Sequence, residues 1–166
     1  MKDIYVDASS KFNRIGVVVV ENGVVKKCIS KKIKVDFRCP AILEVRAMVE
    51  GMKYLTEGGT IHTDQTDLIN SLLEHGCFRT RYSENVIKNT KVIRRKLLHK
   101  LNTLMYLKKN VTFCDIKSHG GDKFHNLADK LSTGKIPQLS NGYYDKMLTS
   151  DTEVVIYNKD TRFNLI

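Results

Sequence analysis

The first 35 residues alternate between short β-branched runs and turn-forming polar residues. Ile4, Tyr5 and Val6 form one such run, which ends at Asp7. A polar turn over residues 9–14 follows. Gly16 then leads into four consecutive valines, Val17 to Val20, the pattern of a buried strand. Asn22-Gly23 sits between that run and Val24-Val25. This pair is a strong hairpin signal, because both central residues of a tight primed turn need positive φ. A third strand is expected over residues 28–35, giving an antiparallel meander.

From Pro40 the period becomes helical. Leu43, Ala47, Met48, Met52 and Leu55 fall on one face of a helix predicted over residues 40–56, with proline tolerated in its first turn and Gly58-Gly59 ending it. Thr60 to Thr63 predict a fourth strand ending at Asp64. Thr66 is expected to cap a short helix bearing Leu68, Ile69, Leu72 and Leu73. Ser83 is expected to cap a longer one reaching Tyr106, with Val86, Thr90, Ile93, Leu97, Leu101 and Leu104 at steps of three and four. A fifth strand over residues 111–117, a Gly-containing loop over 118–125 and a helix over 126–132 complete the pattern. Tyr5, Tyr54 and Tyr106 read as core or border positions. Residues 153–157 predict an added strand or arm. The order βββ-α-β-α-α-β-α implies an α/β fold with a five-stranded mixed sheet. Three strands are antiparallel, two are parallel, and right-handed crossovers put helices on the faces. Residues 1–134 are expected to form the main domain and 135–166 an extension.

Composition narrows the partners. The 166 residues carry a net charge of +10, an excess that suits a polyanion such as nucleic acid. Cys28, Cys39, Cys77 and Cys114 form no CxxC pair, which argues against a zinc knuckle. Their scatter, without a signal peptide, is what reduced thiols in a cytoplasmic setting would give. The apolar run over residues 15–20 is far too short to span a bilayer.

Four acidic motifs stand out: Tyr5-Val6-Asp7-Ala8-Ser9, Leu43-Glu44-Val45-Arg46-Ala47, His62-Thr63-Asp64-Gln65 and Asn126-Leu127-Ala128-Asp129-Lys130-Leu131. A single Asp at a strand end is most often a cap or turn residue, and a single Glu in a helix is most often solvated. Carboxylates gathered at one sheet edge would repel one another unless divalent cations neutralise them, and a pair of such cations can cut a phosphodiester. An oxygen-rich donor set favours Mg²⁺ or Mn²⁺ over zinc. His62 and His125 read as structural or bystander residues. Lys88, Lys91, Arg94, Arg95, Lys96 and Lys100 cover most of the polar surface of the long helix, with Arg79, Arg81, Lys108 and Lys109 flanking it. Such a surface is either a solvated face or a phosphate-binding one.

Over residues 3–134 the chain resembles the type I ribonuclease H family in element order and in all four motifs. The resemblance implies that Asp7, Glu44, Asp64 and Asp129 bind two Mg²⁺ or Mn²⁺ ions, and that His119, ten residues before Asp129, assists turnover. It implies an endonuclease, expected to act as a monomer, that hydrolyses the RNA strand of RNA–DNA hybrids, with the basic helix gripping the DNA strand. The chain departs from the family in places. Cys39, Pro40 and Ala41 stand where Thr-Asn-Asn or Thr-Asn-Gln usually reads ribose hydroxyls and bases. Ala8 replaces a usual Gly, Gln65 a frequent Ser and His125 a common Asn, and the chain has no tryptophan. Backbone contacts to 2′ hydroxyls need none of those side chains. Two other readings keep the architecture: a junction resolvase acting on branched DNA, and a non-catalytic nucleic-acid-binding module.

Overall fold

The structure, a computed structural model, describes residues 1–34, 40–79, 88–116, 121–135 and 147–162, with only the backbone at 88–91 and 160–162. The elements are β1 (Lys2–Ser9), β2 (Arg14–Glu21), β3 (Val24–Lys34), α1 (Pro40–Met52), β4 (Gly59–Thr63), α2 (Thr66–His75), α3 (Lys88–Leu107), β5 (Val111–Asp115), α4 (Lys123–Ser132) and β6 (Glu153–Arg162). They build one mixed sheet in the order β5-β4-β1-β2-β3-β6. The sheet therefore has six strands rather than the expected five. The sixth is β6, which pairs in parallel with β3 and takes over its edge.

The meander forms as the sequence implies. Asn22 and Gly23 hold φ values of 54° and 77°, and Val20 lies opposite Val25 across the turn. β1 pairs antiparallel with β2 and parallel with β4, so it has a hydrogen-bonded neighbour on both sides. Strand alternation then sorts the valines and isoleucines. Ile4, Val6, Ile15, Val17, Val19 and Ile29 enter one core with α1 and α3. Tyr5, Val18, Val20, Val25 and Cys28 enter a second core with Leu127, Ala128 and Leu131 of α4. Because the sheet is covered on both faces, the valine run carries no polar alternation.

Several boundaries differ from the pattern. β1 continues past Asp7 to Ser9, because the antiparallel ladder runs on to Ser9 and Arg14. α1 stops at Met52, short of Thr56, and its buried positions include Ile42, Val45 and Val49 as well as the expected stripe. It lies between the sheet and α3, so both of its faces are covered. Gln65, not Thr66, holds the N-cap position of α2 and makes no side-chain capping bond. Residue 83, expected to cap α3, lies outside the described residues; Leu97, Leu98 and Leu101 bury α3 against the first core. β5 ends at Asp115. Tyr106 is 88% exposed, contrary to a core or border role.

The largest shift in reading concerns α4. It starts at Lys123, three residues earlier than the pattern, because the Asp122 carboxylate accepts hydrogen bonds from the Phe124 and His125 amides. That cap places His125 on the helix instead of in a loop. At the other end of the chain, Leu148 enters the second core and the Thr152 hydroxyl donates to the Val25 carbonyl. The Arg14 guanidinium fastens β6 through the Tyr157 carbonyl and Asn158 Oδ1. No helix among the described residues is long and apolar enough to cross a membrane.

Candidate metal-binding site

The sheet edge at the C-terminal ends of β1 and β4 gathers three carboxylates. Tyr5 of β1 is paired with His62 of β4, and the next two residues along each parallel strand lead to Asp7 and Asp64. α1 crosses the sheet with its second turn over this edge and delivers Glu44. One oxygen from each of Asp7, Glu44 and Asp64 lies within 4.8 Å of the others. Asp7 is 6% exposed. Alternation puts its side chain on the Tyr5 face, the one that α4 covers; Asp129 of α4 is near enough to act on it electrostatically but is not among the three carboxylates that meet within 4.8 Å.

That approach depends on a missing side chain. Gly16 is the β2 partner of Asp7. A Cβ there would meet the Ala128 carbonyl oxygen at 2.1 Å and the Ser132 nitrogen at 2.8 Å. α4 therefore rests directly on the β2 backbone. The Ser30 hydroxyl holds the same helix from β3 by donating to the Leu131 carbonyl at 2.6 Å.

The electrostatics are those of a cluster short of positive charge. Burial raises the Asp7 carboxyl well above the usual carboxylate range, and Asp64 and Asp129 push it further, against the Ala8 amide that donates to Oδ1 at 2.9 Å. Burial, then Asp7 and Asp64, pushes Glu44 up to about 9. Its Oε2 is buried without a hydrogen-bond partner among the described residues. Buried polar atoms are normally paired, so an orphaned carboxylate oxygen beside two more carboxylates is the arrangement a cation completes. The all-oxygen trio suits a hard divalent ion.

Glu50, six residues further along α1, shows the opposite outcome. Burial works to raise it too, but Arg46 at 2.7 Å, Lys53 at 3.0 Å and Lys31 at 3.6 Å outweigh burial and hold it below the usual range. Among the described residues, one helix thus carries a carboxylate neutralised by side chains and another that is not.

The other expected residues are placed unevenly. His119 lies outside the described residues, as do the side chains of Lys88 and Lys91. On α3, Arg95 and Lys96 are exposed, while Arg94 and Lys100 are half-buried. Lys100 sits near the Arg46–Glu50–Lys53 group, and its ammonium is lowered by burial and by Arg46 and Lys53. Pro40 and Ala41 open α1, and residue 39 is not described. His62 stacks on Tyr5 with ring centroids 4.2 Å apart and reaches Asp3 at 2.9 Å, a structural role.

His125, read from sequence as a bystander, has its Nε2 4.0 Å from Asp7 Oδ2. The signal for it was present: with Asp122 recognised as the cap, His125 falls four residues before Asp129 on one helix face.

No protein-family model and no curated protein sequence matches the chain. Among solved structures, the crystal structure of RNase H1 from the halophilic archaeon Halobacterium salinarum NRC-1 is similar, with a TM-score of 0.57 at 13% identity. The match covers 81% of this chain and 98% of that one. At that identity the likeness is one of architecture, and the chain has a ribonuclease H-like fold.

Proposed function

We propose that the protein is a metal-dependent endonuclease that hydrolyses the RNA strand of RNA–DNA hybrids. The observation that carries this reading is the meeting of Asp7, Glu44 and Asp64 within 4.8 Å at a sheet edge, with one Glu44 oxygen buried and without a partner among the described residues. On this reading Asp7, Glu44, Asp64 and Asp129 hold two Mg²⁺ or Mn²⁺ ions. Bound divalent ions supply water activation and charge neutralisation at a phosphate. The protein supplies the positioning. Asp7 sits on a strand paired on both sides, and the Ala8 amide fixes one of its oxygens. Glu44 and Asp129 come from helices on opposite faces. His119 assists turnover, and the basic residues of α3, with Arg95 and Lys96 outermost, hold the DNA strand by its phosphates.

Cleavage of end-labelled RNA–DNA hybrid, duplex RNA, duplex DNA and branched DNA in Mg²⁺ and in Mn²⁺ tests the proposal. Metal-dependent cutting of the hybrid is expected, with Asp64→Asn slower by roughly a hundredfold or more, a transition-state loss of about 3 kcal/mol. Preference for the branched substrate, or equal rates for Asp64→Asn, would overturn it.

A further inference from the structure

α4 brings more than a carboxylate to the cluster. His125 and Asp129 are one helical turn apart and share a face. The 4.0 Å between His125 Nε2 and Asp7 Oδ2 is too wide for a hydrogen bond, which needs about 2.7–3.2 Å. It is close to the separation of two donor atoms on opposite sides of one cation. Each donor lies about 2.1 Å from such an ion, which sets them about 4.2 Å apart. The His125 side chain is half-buried, and its Nδ1 is buried without a hydrogen-bond partner among the described residues. The Asp122 cap pins the His125 amide, so the ring leaves the helix from a fixed point.

We propose that His125 is a ligand to the ion held between Asp7 and Asp129, and that it shifts this half of the site away from Mg²⁺ and toward transition ions such as Mn²⁺ and Co²⁺. The inference rests on the assignment of Asp7 and Asp129 as metal ligands made above. The two halves of the site then differ in chemistry. Asp7, Glu44 and Asp64 offer oxygen alone, which suits Mg²⁺. Asp7, Asp129 and His125 add an imidazole nitrogen, a donor that transition ions take readily and Mg²⁺ does not.

The test uses the full chain without nucleic acid. Mn²⁺ is bound to wild type, His125→Asn, His125→Gln and, as a surface-histidine control, His99→Asn. Affinities for Mn²⁺ and Mg²⁺ are measured by calorimetry, and nitrogen coupling to bound Mn²⁺ by pulsed electron paramagnetic resonance. The expected result is nitrogen coupling in wild type and His99→Asn that disappears in both His125 variants. Mn²⁺ affinity should fall about tenfold while Mg²⁺ affinity changes far less. Wild type that binds Mn²⁺ without nitrogen coupling, or an unchanged Mn²⁺-to-Mg²⁺ ratio in the variants, overturns the role of His125 and leaves the nuclease reading standing. Wild type that binds neither ion at millimolar concentration overturns both. The wild-type spectrum is decisive even if a variant fails to fold.

Discussion

Glu44 and Glu50 occupy the same helix and shift in opposite directions, because among the described residues only Glu50 has cations around it. The Glu44 carboxyl, held at about 9, keeps its proton in the folded chain over a pH range where the unfolded chain has lost it. The folded state then binds more protons, so this group's contribution to stability is lost as pH rises from about 4.5 toward 9. The metal-free protein should therefore melt at progressively lower temperature across that range, and Glu44→Gln should flatten the decline. Thermal melts in chelator at several pH values, wild type against variant, check this; parallel curves would refute it. Comparison with the variant cancels Glu50, whose lowered carboxyl contributes in the opposite sense at the acid end. At this scale the sequence was informative about identity and poor about surroundings. Residue type and order along the chain are visible there: of the four carboxylates that the acidic motifs offered, Asp7, Glu44 and Asp64 meet within 4.8 Å. The unpartnered state of Glu44 Oε2 was not, because it depends on which side chains fail to arrive.

Elements carry these residues to one another, and the contact between β2 and α4 matters most. Gly16→Ala would drive a methyl into the Ala128 carbonyl and the Ser132 amide. Backbone cannot rotate away as a side chain can, so α4 must lift, at an overpacking cost of about 1–3 kcal/mol or more. Because Asp129 and His125 ride on α4, metal affinity should fall together with stability. Denaturant midpoints and Mn²⁺ titration of Gly16→Ala check this. A variant that is less stable yet binds metal normally would show that α4 does not set the site. Among the described residues the periodicity located each helix, with the start of α1 and the end of α4 as expected, but missed the end of α1 and the start of α4. α4 began early because a side-chain cap outweighed the polar, loop-like look of Lys123 to His125. α1 looked one-sided because the second helix covering it is separated from it in sequence.

For the molecule as a whole, charge was legible at once and topology only in part. A net charge of +10 needs no structure to read, but its bearing on binding does. Arg95 and Lys96 stand exposed on α3, whereas Lys31 and Lys53 are committed to Glu50. Replacing Arg95 and Lys96 together by alanine should weaken hybrid binding at low salt and reduce the slope of log affinity against log salt by about one to two, roughly one per lost phosphate contact. Filter binding over a salt series measures it, and an unchanged slope would remove α3 from the interface. The run over residues 153–157 was legible as an added strand or arm, but its place in the sheet was not, since pairing with a parallel partner more than a hundred residues away leaves no local mark. The position of β1 has a different consequence, in the lifetimes of its amide protons. Flanked by β2 and β4, its ladder can exchange with solvent only when the whole sheet comes apart. α4 is joined to the sheet by packing on Gly16 and by the Ser30 hydroxyl rather than by ladder hydrogen bonds, so its amides are expected to exchange at lower free energy than those of β1. If Asp7 and Asp129 share an ion as proposed, that ion would tie the slowest-exchanging strand to a helix that can open apart from it, and would lend α4 the protection of β1.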